Sequence, residues 1–238
     1  MRARLHLAVV CFLIAAVVVA VAELRSPTAA EKAALDKYLA AVNPVLDQFQ
    51  GDDWDENVDY SLDNPMVNTN DPGVPLDIDE LTQRTYTVRN GSQRFNEKIA
   101  PSMQQLLDPA GNMSAKQKIG QQVQSLMRVQ VQMHFNRANL AFEPTPANNH
   151  DLHIPGAAFA YKIEDSAFGH GTAYILAFGD WNNSKWDAAL GCYHFHFAHP
   201  QNTPYIENIE VRIYGADDRI QQLLHSINWN ALNNGLTR

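Results

Sequence analysis

A chain of 238 residues, 45% hydrophobic and 18% charged, has the composition of a folded globular protein and not of a disordered, collagen-like or multi-span membrane chain. Its 18 basic residues against 26 acidic ones leave a net charge of −8, the wrong sign for holding nucleic acid or anionic lipid through bulk electrostatics.

The N-terminus carries Arg2 and Arg4, then an apolar run from Leu7 to Ala22 that ends in Ala20-Val21-Ala22. This order of basic start, apolar run and small residues at an A-x-A site is the pattern of a secretory signal peptide over residues 1–22. The run is short of the roughly 20 residues that span a bilayer core, so cleavage before Glu23 is expected, with no membrane span afterwards. Loss of Arg2 and Arg4 then leaves sixteen basic residues against 26 acidic ones, a charge of −10. Cys192 is the one cysteine left, so no internal disulfide can form and the core alone must hold the exported protein together.

Within residues 23–50, Leu35, Tyr38, Leu39, Val42, Val45, Leu46 and Phe49 recur at helical spacing. Ser26-Pro27 reads as the cap and first residue of that helix, with a kink or restart expected at Pro44. Residues 51–80, rich in Asp, Asn and Pro, are expected to form an acidic irregular segment. Residues 81–238 form the main α+β domain in this reading.

In that domain a short helix begins at Ser92 and is interrupted at Pro101, and Ser114 with Gln117 opens another as a capping box. Val129, Val131, Met133 and Phe135 then alternate with polar residues, which predicts a half-buried strand. Four further strand-length runs follow: Gly156 to Ile163, Thr172 to Gly179, Cys192 to Ala198 and Ile206 to Tyr214. Their connections are too short for crossover helices, so the strands should pair antiparallel. Ala216-Asp217-Asp218 opens a last amphipathic helix. The order predicts an α+β fold: an antiparallel sheet of about five strands, with N-terminal helices and a C-terminal helix packed on one face.

Two clusters carry chemical interest. In Cys192-Tyr193-His194-Phe195-His196-Phe197, strand alternation sends the aromatics to the core and places Cys192, His194 and His196 on the other face. The two imidazoles would stand about 7 Å apart at Cα, and with a thiolate they suit zinc or copper better than magnesium or calcium. A solvated polar face is the competing reading, since beyond the two histidines no third ligand is fixed by the sequence. The second cluster is a polar sheet face with His134, Glu210 and Arg212, where Glu210 and a histidine can act as base and acid. Trp181 and Trp186 are candidate stacking surfaces beside it.

The P-loop, the G-x-S-x-G elbow, the H-E-x-x-H helix and C-x-x-C are all missing from the chain. The expectation is therefore an exported, soluble, non-enzymatic binding or interaction domain, periplasmic or extracellular, that takes a small polar ligand or a protein partner and no nucleic acid. The alternative is a zinc- or copper-dependent hydrolase, or another metal enzyme, built on His194 and His196.

Overall fold

A computed structural model describes residues 24–49, 51, 53–59, 65–69, 73–78, 82–108, 111–140, 150–165, 171–182 and 184–237. The expected signal peptide lies outside the described residues. In chain order the elements are β1 (Leu24–Arg25), α1 (Ala29–Leu46), β2 (Trp54–Asp59), β3 (Val67–Asn68), β4 (Thr82–Val88) and a π-helical turn (Phe95–Ile99) that runs into α2 (Ala100–Leu107). Then follow α3 (Met113–Met127), β5 (Arg128–Phe135), β6 (Asn139–Leu140), β7 (His150–Asp151), β8 (Phe159–Asp165), β9 (Gly171–Gly179), β10 (Lys185–Asp187) and β11 (Cys192–His194). The chain closes with β12 (Asn208–Gly215), α4 (Asp217–Ser226) and a 3-10 helix (Trp229–Gly235).

The fold is α+β, and its main sheet has seven strands in the order β2-β4-β5-β12-β9-β8-β7. Every neighbouring pair in it is antiparallel, and short links join β7 to β8 and β8 to β9. One face is the principal core. Val129, Val131, Met133 and Phe135 of β5, Ile209, Val211 and Ile213 of β12, and Tyr174, Leu176 and Phe178 of β9 pack there. Tyr38, Val42 and Leu46 of α1, Ile220 and Leu223 of α4, and Trp229 cover them.

The opposite face changes character across the sheet. Over β8 and β9 it is apolar, with Tyr161, Ile175 and Ala177 buried beneath Leu140, Trp181 and Phe195. The cover comes from a three-stranded antiparallel sheet in the order β10-β11-β6. Across β12, β5 and β4 the same face turns polar: Arg212, Tyr214, Gln130, Gln132, His134, Thr85 and Thr87 are half-buried. The helices pack on one face as expected, and a second small core sits on part of the other.

Several local expectations are also corrected. Residues 51–80 are not irregular throughout, since β2 pairs with β4 and β3 pairs with β1. The acidic side chains of that segment suit an edge strand, where charge discourages further pairing. The α1 cap is Thr28 and not Ser26: the Glu31 N–H donates to Thr28 Oγ1, and the Thr28 N–H donates to Glu31 Oε2 at 2.7 Å. Arg25 adds a two-pronged bond to Glu31 at 2.6 and 2.7 Å, which with the cap holds that carboxyl down at about 2 despite its burial. α1 runs through Pro44 without a break and ends two residues later. Asn112, not Ser114, caps α3, accepting from the Ser114 N–H at 2.8 Å. At Met127–Arg128 helix passes directly to strand, as the change of hydrophobic period there indicates.

Candidate functional site

Where β9 ends and β12 begins, the chain leaves a cleft of about 580 Å³ at the edge of both cores. It is lined by segments far apart in sequence: Gly156; Gly179, Asp180 and Asn182; Phe195, His196 and Ala198; Glu207; Asn230 and Asn233 on the 3-10 helix; and the tail residues Leu236 and Thr237.

Two glycines let these segments close together. At Gly179 the φ angle is +113°, and a Cβ there would come within 2.6 Å of the Glu207 carbonyl oxygen. At Gly156, φ is +83° and a Cβ would meet the Asn230 Cα at 2.6 Å. Asn233 then clamps both, donating from Nδ2 to the Gly156 carbonyl at 2.8 Å and accepting from the Gly179 N–H at 3.3 Å.

Glu207, only 6% exposed, fixes the opposite wall. It accepts from the Ala198 N–H at 2.7 Å, and Oε1 accepts from the His199 N–H and meets His199 Nδ1, both at 2.9 Å. Behind it stands Asn136, in the left-handed region at φ +49° and buried. Asn136 accepts from the Glu207 N–H and donates to the carbonyls of Leu76 and Tyr205, each at 2.8 Å. The Tyr205 ring stacks on His199 with centroids 3.8 Å apart. The wall is thus preorganised before any ligand arrives.

The groups left to meet a ligand are Asp180, Asn182, His196, Asn230 and Thr237, with Phe195 and Leu236 as apolar surface. Asp180 uses Oδ1 to hold the Asn182 N–H and Nδ2 at 3.2 and 2.8 Å, which leaves Oδ2 outside those bonds. Among the described residues the lining contains two carboxylates and neither Lys nor Arg. Such a cleft discriminates against anions and presents both donors and acceptors to uncharged or cationic polar molecules.

Of the residues marked out in the sequence, His196 alone lines this cleft. Strand pairing stops at His194, so His194 and His196 do not stand side by side on one strand face as expected. His194 lies in the small sheet, where its Nδ1 meets Asn139 Oδ1 at 2.5 Å. Its Nε2 stands 3.8 Å from Cys192 Sγ and 3.4 Å from Asp187 Oδ2. Burial and the Asp187 charge raise the Cys192 thiol above its ordinary value, which keeps it protonated and a poor nucleophile. Among the described residues no three or more of His, Cys, Asp and Glu are grouped to hold a metal ion.

The aromatic half of that stretch behaves as expected: Phe195 is buried, with Tyr193 and Phe197 packed beside it. Trp181 is no stacking platform. It is 2% exposed, donates Nε1 to the Phe178 carbonyl at 3.2 Å and packs against Phe195 at 4.8 Å. Trp186 is half-buried edge-on to Tyr193.

His134, Glu210 and Arg212 do come together on the polar sheet face, with His134 directly across the β5–β12 ladder from Glu210. Glu210 is not solvated, being 1% exposed. Arg212 Nε donates to its Oε1 at 2.7 Å, and Arg137 Nε stands 3.1 Å from Oε2. Burial pushes His134 down to about 4 against the pull of Glu210, with Arg137 and Arg212 lowering it further. The histidine is neutral at neutral pH, so this pair lacks the acid that acid–base work requires. His134 also borders a polar hollow of about 120 Å³, separate in its lining from the larger cleft.

The cleft was invisible in the sequence because its lining converges from distant segments. The one local signal was the density of Asn between Asn228 and Asn234. The chain matches no family model, and neither a curated protein nor a solved structure matches it.

Proposed function

We propose that this chain is an exported binding domain that holds a small, uncharged or cationic polar molecule in the cleft between the end of β9 and the 3-10 helix. The observation that carries this reading is the convergence of Asp180, Asn182, His196, Asn230 and Thr237 on one cavity of about 580 Å³, a volume within the range of small-molecule sites. The walls are held by Glu207 and Asn233 through bonds that need no ligand. The signal-like N-terminus supports export, and among the described residues no helix is long and apolar enough to cross a membrane.

The test is a thermal-shift screen of amines, sugars, amino acids and carboxylates on the wild type and on two variants. Ala198→Tyr fills the cleft from an exposed position, and Asp180→Asn removes its freest carboxylate. Uncharged or cationic compounds should raise the melting temperature of the wild type, and Ala198→Tyr should abolish that shift. Stabilisation by carboxylates alone, or shifts that survive Ala198→Tyr, would contradict the assignment. Near-stoichiometric zinc or copper in untagged protein would favour the metal-enzyme reading instead.

A further inference from the structure

The sequence holds two Asn-Gly pairs, Asn90-Gly91 and Asn234-Gly235, and the fold presents them differently. We infer that Asn90 is a modification site: the Gly91 amide nitrogen attacks the Asn90 side-chain amide and converts the residue to a mixture of aspartate and isoaspartate, while Asn234 is spared. Asn90 and Gly91 are not among the residues that line the cleft, and the site does not depend on the binding assignment.

Asn90 and Gly91 are the central residues of a β-turn after β4, closed by the Ser92 N–H donating to the Arg89 carbonyl at 3.1 Å. The Gly91 φ of +79° beside an ordinary negative φ at Asn90 makes it a type II turn, whose middle peptide carries no part of the closing bond. Both residues are exposed, and among the described residues nothing hydrogen-bonds the Asn90 side chain or the Gly91 N–H. A Cβ at Gly91 would meet no atom within 4 Å, so the space around the attacking nitrogen is open. The flanks are fixed: the Arg89 N–H donates to the Asp53 carbonyl at 2.7 Å, and Ser92 Oγ accepts from the Phe95 N–H at 3.2 Å. The Asn90–Gly91 peptide can therefore rotate towards the side-chain carbon without unmaking the fold around it. Asn234-Gly235 instead closes the 3-10 helix, where a Cβ at Gly235 would meet Tyr38 Cδ2 at 2.8 Å and Ala41 Cβ at 3.3 Å. That backbone is pressed against α1, and rotation there first requires the helix end to lift off, a local opening that slows the reaction.

The conversion needs only water. The Gly91 nitrogen bonds to Asn90 Cγ, its proton passes through solvent to the departing amide nitrogen, and the Cγ–Nδ2 bond breaks to release ammonia, leaving a five-membered succinimide. One water then opens the ring. Cleavage between the nitrogen and Cγ gives aspartate on the ordinary backbone, and cleavage between the nitrogen and the former backbone carbonyl carbon gives isoaspartate, whose backbone runs through the side chain. Glycine at the second position favours ring closure, because no Cβ crowds the nitrogen and the backbone turns freely. Either product adds a carboxylate and makes the chain one charge more negative, and isoaspartate also lengthens the turn by one backbone carbon.

The experiment incubates the folded protein at neutral pH in heavy-oxygen water and follows it by peptide mass spectrometry, beside a free peptide of residues 86–95 as an unfolded reference. The segment with Asn90 should give way to two acid-containing isomers, each carrying one heavy oxygen and one of them isoaspartate, while Asn234 converts at least about tenfold more slowly. Asn90→Gln, an exposed change whose side chain would have to close a six-membered ring, should remove these products and leave Asn234 as it was. An Asn90 that stays intact while the free peptide converts, aspartate without isoaspartate, or an Asn234 that keeps pace with Asn90 would overturn the inference.

Discussion

The guanidinium of Arg84, 1% exposed on the core face of β4, meets the carboxylate of Asp47 at 2.6 Å where α1 ends, although Asp47 itself is largely in solvent. Asn43 adds its side-chain oxygen at 3.2 Å and its backbone carbonyl at 3.4 Å. A cation at a helix C-terminus is favourable, and here it ties α1 to the sheet beneath it. The two ends of this pair should respond unequally to substitution. Asp47→Ala takes one carboxylate from a buried cation and should cost more than Arg84→Met, which removes the buried charge itself and should cost under about 1.5 kcal/mol. Urea unfolding of the two variants checks the order, and an equal or reversed cost would contradict it.

Arg84 also explains why β4 escaped notice in the sequence. A charged residue at an inward position breaks the alternation that Tyr86 and Val88 otherwise keep, and a carboxylate that answers it lies 37 residues earlier. Where alternation was strict, as from Val129 to Phe135, strand, faces and core residues were all legible. From Phe195 to Phe197 the alternation of burial was legible, but Cys192, expected on the outward face, is buried, and the extent of pairing was not legible. Past His194 the Phe195 N–H still donates to the Ala138 carbonyl at 2.8 Å, but β11 does not continue, and His196 lines the cleft. Fold class was readable because it depends on local period and connection length; the cleft depends on five segments meeting, which no window of sequence contains.

Phe195→Ala should cost about 3–5 kcal/mol, because the ring is buried between Trp181 and Phe197 with centroids 4.8 Å from each. His196→Ala, at an exposed position beside it, should change stability by less than about 0.5 kcal/mol. Thermal melts of the two variants check the contrast, and a tolerant Phe195 would mean that the small second core carries little of the fold's stability.

His134 gives the protein a pH dependence with a definite sign. Its folded value, lowered to about 4, lies below the ordinary value of 6.5, so the unfolded chain takes up a proton between those limits and the folded one does not. Stability should therefore fall as pH drops from 6.5 towards 4, by about 2–3 kcal/mol from this group. His134→Gln should flatten that limb of the stability curve. An NMR titration of the His134 ring with its midpoint near 6.5 would show that the ring is not desolvated as described.

Glu31 acts at lower pH. Its carboxyl, lowered from 4.5 to about 2 by Arg25 and the Thr28 cap, stabilises the fold above the unfolded value. That contribution, about 1–2 kcal/mol after allowing for solvent screening, is lost as pH falls through the interval down to about 2. Glu31→Gln should lose the same amount at neutral pH and show a shallower acid limb. Denaturant unfolding of both proteins between neutral pH and pH 2 tests it; parallel curves would leave the Arg25–Glu31 pair without weight.

The most direct test of the binding assignment is chemical-shift mapping of a library of small polar molecules on uniformly labelled protein. Uncharged and cationic compounds should move the resonances of Asp180, Asn182, Asn230 and Thr237 together in a saturable way, leaving those of Gln130, Gln132 and His134 in place. Hits that map instead to the sheet face around His134, or a library without one compound that moves the cleft, would contradict the assignment.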